Sequence, residues 1–122
     1  MSCPTAPRSQ VFVYRNRNRR GERWLPGDRL APAYTLTLPE EVADMFAGQV
    51  AERLRWVFGA GDHDEDALTG DERHHRAAWR AAGLPPFARG DLLTVGRWAF
   101  TWDAYGLRVG LDSAHVTASP AR

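Results

Sequence analysis

Between Pro39 and Gly59 the apolar residues recur with a helical period: Val42, Phe46, Val50, Leu54 and Val57 fall three or four positions apart. The segments on either side alternate instead. Tyr34, Leu36 and Leu38 point one way and Ala33, Thr35 and Thr37 the other, while Leu107, Val109 and Leu111 alternate with Arg108 and Gly110. A chain with one strong helical stripe and several half-apolar strands satisfies both by laying the helix across one face of the sheet. Its 122 residues suffice for one domain and one modest core. The fold expected is α+β: a small twisted antiparallel sheet of about five strands, able to curl into a half-barrel, packed by one long amphipathic helix and one short helix.

Local signals set the boundaries. Strands are expected over 11–15, 33–38, 91–95, 97–103 and 107–111, with Gly96 and Tyr105-Gly106 at turns. The long helix is expected to start in a capping box, with Thr37 as cap, Glu40 three residues on and Pro39 in the first turn, and to stop at Gly59 and Gly61. A shorter helix is expected over 71–82, anchored by Trp79, ended by Gly83 and barred from continuing by Pro85-Pro86. Residues 1–10 and 113–122 are small and polar and read as tails around a single domain over 11–112. Gly27-Asp28 and Gly90-Asp91 both precede apolar segments; glycine suits a tight turn and aspartate can accept from a nearby backbone N–H.

Trp98, Phe100 and Trp102 stand two apart, so on a strand their rings leave one face. Two uses exist for such a row: a core face, or a platform on which bases stack. Arg97, Thr101 and Asp103 on the opposite face cannot supply the second apolar layer a platform needs beneath it. The row is therefore expected to pack against the long helix.

Charge narrows the function classes. The net charge of +1 conceals blocks: seven arginines against two acids up to Arg29, ten acids against two arginines from Glu40 to Glu72, and seven arginines against three acids beyond. All 16 basic residues are arginine, and isoleucine is also absent, which is the residue usage of a GC-rich bacterial gene rather than a phosphate-binding signature. Cys3 is the single cysteine, no run is long and apolar enough to span a bilayer, and "MSCPTAPRSQ" lacks the apolar centre of a signal peptide, so a cytoplasmic setting without membrane is expected. No nucleophile elbow or phosphate-cradling loop occurs. His63, Asp64, Glu65, Asp66, Asp71, Glu72, His74 and His75 gather in one segment, but their spacing matches no metal motif, and neither metal, cofactor nor catalytic residue is expected. Arg15, Arg17, Arg19, Arg20 and Arg23 form the candidate nucleic-acid contact: the first three would share a face of an extended strand, as tracking a phosphate backbone requires.

In the C-terminal half, Gly90, Asp91, Leu92 and Leu93, the turn glycine Gly96, the aromatic Trp98 and the pair Gly106-Leu107 follow one another in an order that resembles the YodL-like family of small bacterial proteins. "WLPGDRLAPAYTL", from Trp24 to Leu36, is similar to the N-terminal strand region of actinomycete members. The Ser-Leu-Ser-Val run of that family is replaced here by Pro86-Phe87-Ala88-Arg89. The resemblance implies an accessory interaction module of mobile elements, phages or plasmids, not an enzyme. A non-catalytic protein-binding module is therefore the first expectation, a nucleic-acid binder using the arginine hairpin the second, and a metal-dependent enzyme the third.

Overall fold

The computed structural model describes residues 8–18, 28–59, 67–103 and 106–112. Five strands form one sheet: β1 (Arg8–Asn16), β2 (Leu30–Pro39), β3 (Leu92–Val95), β4 (Trp98–Asp103) and β5 (Gly106–Asp112). Their order is β2-β1-β3-β4-β5, and every neighbouring pair is antiparallel. Between β2 and β3 the chain runs through α1 (Glu40–Met45), α2 (Ala47–Phe58) and α3 (Gly70–Ala81), and returns beside β1. The molecule is thus the expected α+β architecture. The sheet is open, with β2 and β5 as its edges. Among the described residues no helix is long and apolar enough to cross a membrane.

The N-terminal ten residues are not all tail, because β1 starts at Arg8 and pairs with Pro39. β2 runs through Pro39, so Thr37 is a strand residue and caps nothing; its Oγ1 accepts from Arg8 Nε at 3.2 Å. The capping box belongs to α3 instead. Thr69 Oγ1 accepts from the Glu72 N–H at 3.1 Å, and Glu72 Oε1 accepts from the Thr69 N–H at 2.9 Å.

The long helix is two. At Phe46 the backbone leaves helical geometry (φ −127°, ψ 27°), although its N–H still reaches the Val42 carbonyl. The break turns Phe46 outward to 46% exposure, and the buried stripe is Ala43, Ala47, Ala51, Leu54, Val57 and Phe58. Three alanines let the helix backbone approach the sheet closely; Ala43 lies so near the β3–β4 turn that a side-chain carbon on Gly96 would sit 3.7 Å from it. Gly96 also has φ +57°, a conformation that disfavours any other residue.

The main core lies between the helices and one sheet face: Val11, Val13, Leu36, Leu93, Val95 and Phe100 meet the helical stripe, with Leu68, Trp79 and Phe87. Phe100 takes its expected place. Trp102 is half-buried at the rim, stacked on Phe87 at 5.6 Å with Arg55 over its ring. Trp98 departs from the expectation: it opposes Val95 at the end of β4, 37% exposed, with Arg97 against its ring. The other sheet face is not purely polar either. Tyr14, Leu30, Leu92 and Ala99, joined by Phe12, form a second buried cluster. Alternation in β4 placed Ala99 there, but a short side chain gave little sign of it.

The aspartates of the two Gly-Asp pairs converge on this second face. Asp91 accepts from the Asn16 N–H at 2.9 Å and the Ala88 N–H at 3.0 Å, and Asp28 accepts from the Asn16 side-chain amide at 3.1 Å. All three are buried, so these bonds satisfy polar groups that would otherwise cost stability, and they tie β1, the entry to β2 and the entry to β3 together.

Candidate binding cleft

Where α2 and α3 pass over β2, they leave a cavity of about 360 Å³. Its apolar floor is Leu36 and Leu38 from β2 with Val50 and Leu54 from α2; Arg8, Arg53, Asp71, Glu72 and His75 stand around it. Four consecutive β2 residues, Leu36, Thr37, Leu38 and Pro39, line it. Successive strand side chains leave opposite faces, so a cavity touching all four follows the strand edge rather than one face.

The walls are held in place by polar contacts. Arg53 Nε and one terminal nitrogen reach Glu72 at 2.8 and 2.5 Å, and the same guanidinium bonds the Ala67 carbonyl at 3.0 Å. Hydrogen bonding from Arg53 holds the Glu72 carboxyl below the usual carboxylate range against opposing burial, and Glu72 at the same time closes the Thr69 capping box. One glutamate thereby fixes both the start of α3 and the distance of α3 from α2. Arg8 lies over the strand edge, donating also to the Thr37 carbonyl at 3.1 Å. His75 Nδ1 is 2.8 Å from the Tyr34 hydroxyl, linking α3 to β2. Burial pushes its pKa down, the neighbouring His74 adds to that, and Asp71 opposes it.

Behind the cleft an aromatic cluster stiffens the frame. Phe58 stacks on Trp79 at 4.5 Å, and Tyr34 contacts both rings. Arg76, buried on α3, donates to the Val57 carbonyl at 2.9 Å and the Trp56 carbonyl at 3.2 Å, while the Phe87 N–H takes the Phe58 carbonyl at 2.8 Å. The last carbonyls of α2, which have no helical donor, are satisfied this way. A cation at a helix C-terminus is also favoured by the helix dipole.

The arginine stretch is placed differently from the cleft. Arg15 follows Val11 and Val13 along β1, half-buried beside Ala33, Trp79 and Pro85. β1 ends at Asn16; Arg17 is exposed beyond it, with its N–H on the Arg29 carbonyl at 2.8 Å. The strand thus carries one of the three arginines expected to share a face. Arg19, Arg20 and Arg23 lie outside the described residues, as do His63, Asp64, Glu65 and Asp66. Of the remaining acid and histidine segment, Asp71, Glu72 and His75 line the cleft and His74 is exposed on α3; no group of three metal-ligating side chains occurs among the described residues.

The residues that carried the family resemblance build the sheet. Gly90, at φ +93°, donates to the Trp102 carbonyl at 2.9 Å; Asp91 makes the bonds above; Leu92 and Leu93 are fully buried on opposite faces; Gly96 and Gly106 have positive φ; Leu107 is half-buried against the main core. Phe87, within the departing Pro86-Phe87-Ala88-Arg89 segment, is a core residue. None of them lines the cleft. The cleft has no signature in the sequence, since Val50 and Leu54 belong to the same helical stripe as the core residues, and Leu54 is itself core. Only the Thr69-x-x-Glu72 pattern was open to recognition beforehand. No family profile, curated protein or solved structure matches the chain.

Proposed function

We propose that the protein is a non-catalytic, accessory protein-binding module and that the cleft between β2, α2 and α3 is where its partner docks. The cleft carries this reading: an apolar floor on which Leu38 and Val50 are partly exposed, walled by two arginines and two acids of which Arg53 and Glu72 are paired, suits the capture of apolar side chains. The order of motifs shared with YodL-like proteins accords with a role in a cytoplasmic mobile-element setting, and it belongs to the same proposal.

The test compares capture by the immobilised wild-type chain with capture by Val50→Glu, which places a charge on the floor, after circular dichroism has shown both to be folded. A protein retained by the wild type and lost with Val50→Glu supports the reading. Retention unchanged by Val50→Glu overturns it. Nucleic acid retained with a steep salt dependence, and released in an Arg15→Gln, Arg17→Gln variant, would move the function to the arginine stretch.

A further inference from the structure

β2 and β5 are the two strand edges of the open sheet, and they are built differently. β5 carries Arg108 and Asp112 in seven residues. β2 has no charged residue in ten, and its prolines, Pro32 and Pro39, stand near its ends, leaving 33–38 as Ala-Tyr-Thr-Leu-Thr-Leu. Strand edges left open to water are ordinarily blunted by charge, proline or irregularity, because their unpaired N–H and C=O groups template further pairing. Residues 33–38 supply neither of the first two themselves, in a chain that is 25% charged; the charge at this edge comes from β1, where Arg8 holds the Thr37 carbonyl, and the single irregularity lies at the Pro32 end, opposite Val13/Tyr14. The cleft follows the other end of this same strand, along residues 36–39.

Resting on the binding reading above, we infer that the partner enters as an added β-strand: an extended segment, uncharged where it touches, takes the Thr37 carbonyl from Arg8, pairs with the outer edge of β2 and lays alternate apolar side chains on Leu36, Leu38, Val50 and Leu54. The dimensions agree. Four residues of strand span about 14 Å, and a second strand lies about 4.8 Å from the first, which brings every second side chain over the floor. The charges agree as well. Arg8 and Arg53 are balanced among the lining residues by Asp71 and Glu72, so a charged segment gains nothing from the cleft and loses its hydration there. Main-chain pairing supplies affinity in such complexes, and alternate side chains supply selectivity. A helical segment would present its apolar residues at a spacing that a strand edge and a narrow floor do not match.

The experiment selects a displayed library of random dodecapeptides on the wild-type chain and measures the enriched peptides by fluorescence anisotropy and amide hydrogen exchange. The expected sequences alternate apolar with uncharged polar residues, bind Val50→Glu at least ~tenfold more weakly, and give new exchange protection to β2 amides. Methylating alternate backbone nitrogens along one edge of the peptide should weaken binding by about tenfold per lost pairing region, whereas methylating the other edge should leave it unchanged. Peptides of helical period, or equal tolerance of methylation on both edges, would overturn strand addition even if Val50→Glu abolished binding, and the cleft would stand as the docking site. Absence of any enriched peptide also overturns it. A concentration-dependent dimer that protects the same β2 amides without peptide would replace the partner segment by a second copy of this chain.

Discussion

The two ends of the α1–α2 layer use the same kinds of residue with opposite results. At the C-terminal end Phe58 is 2% exposed, stacked on Trp79, with the last carbonyls of α2 held by Arg76 and Phe87. At the α1–α2 junction Met45 is 65% and Phe46 46% exposed, and α1 begins without a side-chain cap. Both ends lie over the sheet. What differs is a third element: α3 meets α2 through residues from Arg53 to Phe58, as the Arg53–Glu72, Arg76–Val57 and Phe58–Trp79 contacts show. At the junction, alanines bring the backbone so close to the sheet that a phenylalanine has no room beneath it. Hydrophobicity made Phe46 and Phe58 equal candidates for the core, and the space available separated them.

The sharpest way to break this contrast is to truncate both kinds of aromatic. Phe58→Ala or Phe100→Ala should cost about 3–5 kcal/mol, whereas Phe46→Ala should cost less than ~1 kcal/mol, by urea unfolding. Equal losses would mean that the junction is packed after all.

Next in size is the cap on α2. Arg76→Met should cost about 2–4 kcal/mol, because it strands two carbonyls that the guanidinium now serves. Arg76→Lys should recover only part of this, since an ammonium lacks the planar fork.

Thr69→Ala should remove about 1 kcal/mol by opening the capping box, measured by thermal or urea unfolding. Thr37→Ala should remove less, because its hydroxyl serves only an exposed bond from Arg8. The reverse order would show that the helix layer starts where the sequence pattern suggested.

Titration should give the smallest effects. The folded His75 resists protonation, so the unfolded chain takes up more protons below about pH 6.5, and stability should fall as pH drops from there toward the lower folded pKa. His75→Gln should flatten that part of the curve. Glu72, with its pKa lowered chiefly by Arg53, contributes fully above its ordinary pKa of 4.5 and loses that contribution as pH falls through the lower folded value. Glu72→Gln should flatten the acid limb and leave the pH 6 region unchanged.

Period and turn chemistry determined a good deal by themselves. The two-residue alternation of Tyr34, Leu36 and Leu38, the row through Phe100, the turn at Gly96 and the stop at Gly83 are each local, and each stands in the structure close to its expected place. The strand order is not local. β3 lies beside β1 because Val11 and Val13 pair with Val95 and Leu93 across some 80 residues of chain, and no short pattern encodes that register. The helix break leaves no mark on the period of large apolar residues, because close approach to the sheet selected Ala43, Ala47 and Ala51 for the buried face and left Phe46 out. The cleft is not local either. Leu54 stays in the core while Val50 is only partly covered, so a floor exists where the layer of α2 and α3, joined by the Arg53–Glu72 pair, ends over β2. Sequence fixes which residues are able to be buried; whether they are is a matter of the volume that neighbouring elements leave, and only the assembled layers set that volume.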